Sequence, residues 1–197
     1  MKDLENIILE KKEGIARLIL NRPDAMNALD EKTYEELWIA TEDVRADNDV
    51  RVMIITGAGR AFCAGLDLKY GGKILGMNQT DLRAIMSKIQ GTFMLERIEK
   101  PVIAAVNGHA LGNGCDLALA CDFRIASEEA RFGMTYTLLG LIPDVGGTCR
   151  LARLVGVSKA KELIFTGDMI DAREAEKIGM VDKVALCANI SETLSIL

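Results

Sequence analysis

The sequence is poor in the residues on which many enzyme and metal sites depend. It contains one histidine, His109, and its five cysteines are scattered without a CxxC pair. The first shortage excludes HExxH and histidine-rich metal sites, and the second argues against a zinc site or a disulfide framework. No serine stands in a GxSxG motif, which excludes a nucleophile of the α/β-hydrolase type. We therefore expect no metal, and we expect carboxylates and backbone groups to carry any chemistry.

Long apolar runs and a strong basic charge are also missing. No apolar stretch approaches the roughly 20 residues that cross a bilayer, and the net charge of -5 offers no basic surface to a nucleic acid. The start, MKDLENIILEKKEG, is too charged for a signal peptide. We therefore expect a cytoplasmic protein without nucleic-acid or membrane partners. The length suits one domain, so residues 1–197 are expected to fold as a single unit.

What is present is an alternation of strand and helix patterns. The predicted strands are 5–10, 15–20, 50–56, 102–106, 123–127 and 180–185. The predicted helices are 31–46, with Asp30 as its N-cap, 80–99, 115–121, 147–155, 158–165 and 172–178. A glycine-rich segment with Gly71, Gly72 and Gly76 precedes the second of these helices. The alternation predicts an α/β protein with a largely parallel sheet and helical cover.

Two of the predicted strands, 50–56 and 102–106, run into glycine-rich turns, where functional sites of parallel sheets collect. A dinucleotide site is disfavoured because Phe62 stands at the third glycine position of GxGxxG, and no phosphate-loop GK[ST] occurs. Backbone N–H groups of the two turns could converge on one carbonyl oxygen and form an oxyanion hole. A helix starting near residue 113 would add its dipole. Alternatively, the glycines only permit close packing of helix on sheet.

Longer motifs give a more specific indication. The stretches are AFCAGLDL, KPVIAAVNGHALGNGCDLALACDFRIAS and ARFGMTYTLLGLIPDVGGTCRLARLVG, with LNRPDAMNAL before and FTGDMIDAREAEKIGMVDKV after them. Together they resemble the crotonase superfamily, the enoyl-CoA hydratase and isomerase family, over essentially the whole chain. The resemblance implies a crotonase-like spiral of ββα units that binds an acyl-CoA thioester. Coenzyme A is then part of the substrate, and no separate cofactor is expected.

The resemblance also implies positions for the binding groups. The backbone N–H groups of Leu66 and Asn113 would hold the thioester oxygen, and Asn113 stands where the family usually has glycine. Ala64 and Gly65 would leave room for the thioester, and Lys69 would approach a CoA phosphate. The full set of residues expected to contact substrate or CoA is Arg22, Ala25, Met26, Ala64, Gly65, Asp67, Leu68, Lys69, Gly112 and Gly114.

The catalytic positions depart from the typical hydratase pattern of two glutamates. The first glutamate position falls on Asp116, whose side chain is one methylene shorter than that of glutamate. The second glutamate position falls on Tyr136, which is a poor base at neutral pH. Asp144, in LIPDVGG, offers a different second carboxylate, as in some isomerases and dehalogenases of the family. Each has a structural alternative: Asp116 as a helix N-terminal acid, Asp144 as a cap for a helix beginning near residue 146, and Tyr136 as a packing residue.

These substitutions favour double-bond isomerisation slightly over hydration. The alternatives are another acyl-CoA reaction, such as cyclic dienoyl-CoA hydration, ring hydrolysis or dehalogenation, and a non-catalytic CoA-binding protein. The histidine and tryptophan that the dehalogenases use have no counterpart here, and His109, Cys63 and Cys115 are expected to be structural. Family members usually continue into further helices, so the C-terminal helical region is expected to be short or truncated. A homotrimer or hexamer is expected, weakened if those helices are absent.

Overall fold

The computed structural model describes residues 4–185. The strands are β1 (Ile7–Lys12), β2 (Ile15–Leu20), β3 (Val52–Gly57), β4 (Ala61–Cys63), β5 (Val102–Val106), β6 (His109–Leu111), β7 (Phe123–Ser127), β8 (Arg131–Gly133), β9 (Met169–Asp171) and β10 (Lys183–Ala185). The helices are α1 (Glu31–Ala46), α2 (Leu68–Leu75), α3 (Gln79–Thr92), α4 (Asn113–Ala120), α5 (Gly147–Val155), α6 (Val157–Thr166) and α7 (Ala172–Lys177). Short 3₁₀ turns cover Pro23–Ala25, Leu95–Ile98 and Thr135–Leu139. The expectation of a short or truncated C-terminal helical region falls outside the described residues.

The strands form two sheets. The larger has the order β1-β2-β3-β5-β7-β10 and is parallel except for the β1–β2 hairpin, and the smaller has the order β4-β6-β8-β9 and is parallel except for β9. Successive units place a strand in the larger sheet, a strand in the smaller sheet and then a helix, as in β3-β4-α2 and β5-β6-α4. This arrangement confirms the α/β class and the crotonase-like spiral of ββα units.

The burial of the strands follows their sequences. In β2, Ala16, Leu18 and Leu20 are buried while the residues between them are not, as expected of a strand with one face on the core. Every residue of β5 is buried, because helices or the smaller sheet cover both of its faces. The largest fully buried side chains include Phe62 and Phe132, which lie on the smaller sheet. The core therefore extends across both sheets.

One helix prediction was wrong in its extent, and one helix was not predicted. The helix predicted over 80–99 ends at Thr92, and the 3₁₀ turn over Leu95–Ile98 replaces its last part. The glycine-rich segment forms α2. The Asp67 carboxylate caps this helix by accepting hydrogen bonds from the amides of Lys69 and Tyr70. The predicted N-cap of α1 is confirmed, since the Asp30 carboxylate accepts from the Thr33 amide at 2.8 Å.

Two observations on residues 4–185 concern membranes and metals. None of the helices in this part of the chain is both long and apolar enough to cross a membrane. Within the same residues, histidine, cysteine, aspartate and glutamate side chains form no group of three or more that could hold a metal ion.

Candidate active site

Two of the segments expected to bind CoA run side by side. The Ala64 amide donates to the Met26 carbonyl at 2.9 Å, the Leu29 amide donates to the Gly65 carbonyl at 2.7 Å, and the Asp67 amide donates to the Leu29 carbonyl at 3.0 Å. These bonds fix the loop after β2 against the loop after β4. The two segments therefore form one continuous surface.

The amides of Leu66 and Asn113 come from neighbouring turns. Because Gly65 and Asp67 both bond to Leu29, the Leu66 N–H between them points to the opposite side of the chain. Asn113 is the first residue of α4, so its N–H has no acceptor one turn earlier in the helix. A Cβ atom at Gly65 would lie 3.3 Å from the Asn113 nitrogen, which shows how closely the turns approach. Neither N–H has a backbone acceptor within residues 4–185.

The glycines around Asn113 have different roles. Gly112 adopts φ 50° and ψ -123°, a conformation that side chains disfavour, and it turns the chain into α4. At Gly114 the space of a Cβ atom is filled by the Cys63 carbonyl, so this glycine lets α4 pack against the end of β4. The packing alternative thus accounts for Gly114. The Asn113 side chain donates from Nδ2 to the Tyr34 hydroxyl at 3.0 Å.

Asp116 and Tyr136 form a buried pair. Asp116 lies in the first turn of α4 without solvent exposure, and its Oδ2 accepts a hydrogen bond from the Tyr136 hydroxyl. Burial raises the pKa of Asp116 to about 7, although the bond from Tyr136 and the charge of Arg150 act to lower it. Burial and the neighbouring Asp116 also raise the pKa of Tyr136, so the phenol stays protonated. The pair is a proton donor and a carboxyl group that can change charge near neutral pH.

Asp144 lies in the loop between the 3₁₀ turn and α5. The predicted alternative, that it caps a helix near residue 146, is wrong, because α5 follows Gly146 and no side chain caps it. The loop is fixed by Gln90, whose Nε2 donates to the Asp144 carbonyl at 3.2 Å, and by Arg150, which donates to the Val145 carbonyl at 2.7 Å. Desolvation raises the pKa of the Asp144 carboxyl. The Asp144 backbone is therefore held in the loop, and the residue lines the cleft beside it.

A cleft of about 150 Å³ brings most of these groups together. Leu66, Asn113, Tyr136 and Asp144 all line it, and Tyr34 from α1 lines it as well. The other walls are mainly apolar and comprise Ile74, Leu75, Leu82, Met86, Ile89, Leu141 and Ile142, with Gly71. Asp116 is not in the lining, because it lies behind Tyr136. Apart from Asp116, the predicted catalytic and oxyanion residues therefore surround one small cavity.

The charged residues expected at the CoA groove are mostly paired with one another. The Arg22 guanidinium lies 3.2 Å from the Asp67 carboxylate and 3.3 Å from the Asp30 carboxylate. Partial burial acts to raise the pKa of Asp67, but bonds from the Tyr70 amide and Arg22 hold it below the usual range. Five of the remaining expected groove residues are half-buried or exposed: Ala25, Met26, Ala64, Leu68 and Lys69. The three glycines of the set are buried: Gly65, Gly112 and Gly114. Lys69 is an exposed cation at this surface.

Other residues singled out from the sequence lie apart from the cleft. Burial raises the pKa of Cys63 to about 12 and raises that of Cys115 as well, so both thiols stay protonated. His109 is half-buried in β6 and does not line the cleft. Sequence reasoning missed Tyr34, because its position in α1 predicts only that the ring faces the core.

Comparison with known proteins identifies the family of the chain. The family model described as Enoyl-CoA hydratase/isomerase matches residues 10–194. The crotonyl-CoA hydratase of Syntrophomonas wolfei is 49% identical over 181 residues, which cover 91% of this chain and 69% of that protein. The enoyl-CoA hydratase structure from Bacillus anthracis has a TM-score of 0.90 and 44% identity, covering 97% of this chain and 74% of that one.

A third relative was solved with a ligand. A Thermobifida fusca protein assigned to the enoyl-CoA hydratases, in complex with acetoacetyl-CoA, has a TM-score of 0.87 and 32% identity and covers 97% of this chain and 78% of that one. The family match spans most of the chain, and the identities are high over nearly its whole length. The chain therefore belongs to the enoyl-CoA hydratase/isomerase family of the crotonase superfamily and is an enzyme of that family.

Proposed function

We propose that this enzyme binds an acyl-CoA thioester with the carbonyl oxygen between the amides of Leu66 and Asn113. The two N–H groups come from turns in contact, and both residues line one cleft. The N-terminus of α4 adds the positive end of its dipole at the same place. Such donors stabilise an enolate oxygen, and removing one from characterised enzymes costs roughly 3 to 4 kcal/mol of barrier. The acetoacetyl-CoA complex of the Thermobifida fusca relative supports this substrate class.

For the reaction itself, we propose double-bond isomerisation. The observation that supports it is that Asp144 is the carboxylate in the cleft lining, whereas Asp116 is covered by Tyr136. The Asp144 carboxylate would remove a proton from the α-carbon of a 3-enoyl thioester, and the electron pair would move to the thioester oxygen. The same carboxyl group would return the proton to the γ-carbon, leaving a 2-enoyl thioester. The charge of Asp144 raises the pKa of both Asp116 and Tyr136, as expected if the three groups lie close together.

Hydration is the second candidate. The Syntrophomonas wolfei relative is named a crotonyl-CoA hydratase, and its identity to this chain is high. Hydration would need one group to activate water and another to protonate carbon. Here Asp144 would act on the water, and Tyr136, backed by Asp116, would supply the proton. The remaining family reactions and a non-catalytic role are outcomes of the same test.

The test supplies purified protein with 3-enoyl-CoA and, separately, with 2-enoyl-CoA. Isomerisation produces the absorbance of the conjugated thioester from the first substrate without a change in mass. Hydration removes that absorbance from the second and adds the mass of one water. We expect Asp144→Asn to abolish isomerisation and Asp168→Asn, at an exposed carboxylate outside the cleft, to leave it unchanged. No reaction with either substrate, or full activity of Asp144→Asn, would contradict the proposal.

A further inference from the structure

One polar contact in the cleft has no part in the proposed proton transfer. Tyr34 is 4% exposed, and its hydroxyl accepts a hydrogen bond from Nδ2 of Asn113. The two side chains come from α1 and from the start of α4, and both line the cleft. The contact is therefore a polar feature of the acyl-binding cavity and does not belong only to the core.

The pair has a hydrogen-bond donor left over. A phenol that accepts one bond still has its own O–H to donate, and no acceptor for the Tyr34 O–H lies among residues 4–185. If the Asn113 amide turns over, the phenol donates to Oδ1 and the Nδ2 donors become free instead. In both arrangements at least one donor is available to a ligand. Burial raises the pKa of Tyr34 well above its usual value, so the phenol keeps its proton.

The surroundings of this donor restrict what can satisfy it. The cleft is small, with a volume of about 150 Å³, which suits a short acyl group. Leu82, Met86 and Ile89 in the cleft lining carry no oxygen acceptor, and the acceptors in that lining outside the pair, the Asp144 carboxylate and the Tyr136 hydroxyl, make no hydrogen bond with Tyr34. A saturated acyl chain would cover the donor and leave it unpaired, which is unfavourable. An oxygen on the acyl chain would pair with it.

We propose that Tyr34 and Asn113 form a hydrogen-bonding subsite that selects short acyl-CoA thioesters carrying a hydroxyl or oxo group beyond the α-carbon. This inference rests on the proposed function only in taking acyl-CoA as the ligand. It assigns the Asn113 side chain a role separate from that of its backbone N–H. Tyr34 becomes a specificity-determining residue.

The test measures the dissociation constants of unreactive ligands by calorimetry. The ligands are butyryl-CoA, acetoacetyl-CoA and 4-hydroxybutyryl-CoA. We expect the wild type to prefer at least one oxygenated ligand over butyryl-CoA, and Tyr34→Phe to reduce that preference about tenfold while binding butyryl-CoA as before. The control is Tyr70→Phe, because the Tyr70 ring lies 6.2 Å from the Tyr34 ring but does not line this cleft. We expect this control to keep the preference.

A second variant guards against a folding defect. Asn113→Ala keeps the backbone N–H and removes the amide side chain, so it should reduce the preference in the same way as Tyr34→Phe. Equal weakening of all three ligands, or an unchanged preference in both variants, would overturn the inference. Because these ligands bind without reacting, the result is independent of whether the enzyme isomerises or hydrates. Enzymatic activity without a ligand preference would overturn the subsite alone.

Discussion

At the scale of single residues, the carboxyl group of Asp116 links stability to pH. Burial raises its pKa from an ordinary 3.8 to about 7, so the folded protein holds a proton that the unfolded chain releases between these values. The stabilisation is complete below the unfolded pKa and is lost as the pH rises through the folded pKa. We therefore expect the free energy of unfolding to fall as the pH rises from about 4 to about 7.

The Asp116→Asn variant isolates this effect, because an amide does not titrate. Urea unfolding of both proteins at about pH 5 and about pH 8 should show a wild type that loses more stability than the variant over this interval. Activity should show the same sign, with a change near neutral pH that the variant lacks. An identical pH dependence of stability in the two proteins would refute the assignment.

The candidate site was only partly predictable at this scale. The motif resemblance supplied Leu66, Asn113, Asp116, Tyr136 and Asp144, and the structure places four of them on one cleft. It could not supply the bond between Tyr136 and Asp116, since their side chains meet only after two separate turns have packed together. The contact of Asn113 with a phenol on α1 was equally hidden, because it joins residues 79 positions apart.

At the scale of elements, the start of α2 depends on Asp67. Its carboxylate caps the helix and also binds Arg22, and α2 supplies Ile74 and Leu75 to the cleft. Asp67→Ala should cost roughly 1 to 2 kcal/mol of stability and should weaken acyl-CoA binding. Asp67→Asn, which can still cap, should retain most of the stability. Chemical denaturation and ligand titration of both variants check this; equal loss in both would show that the ion pair, not the cap, stabilises the helix.

The elements differ in how well the sequence predicts them. The strands β2, β3 and β5 were clear because each is a run of mainly apolar and β-branched residues with a strand-like burial pattern. The strands of the smaller sheet have only three residues each, too few to show a period, and they form because neighbouring segments pair with them. Helix α2 was not predicted because it contains glycines, which have a low helix propensity. The Asp67 cap and packing stabilise it in the structure.

At the scale of the whole molecule, we propose assembly as a homotrimer or hexamer. Besides the family resemblance, several large apolar side chains are exposed around the 3₁₀ turn before α5 and the end of α6: Leu138, Leu139, Phe165 and Met169. Light scattering after size exclusion should give three or six times the chain mass of 21.5 kDa. Phe165→Ser should weaken the assembly if this surface is the interface, and a monomer at micromolar concentration would contradict the proposal.

The amides of Leu66 and Asn113 are main-chain groups, fixed by the Leu29 bridge and by the start of α4. No side-chain exchange at these two positions deletes an N–H, unless proline is introduced. The proposed reactive groups, in contrast, are side chains, and apart from Asp116 they lie on a single stretch that runs from Tyr136 to Asp144. A small combinatorial library confined to that stretch would therefore vary the proposed reactive groups while the proposed backbone anchor for the thioester stays constant.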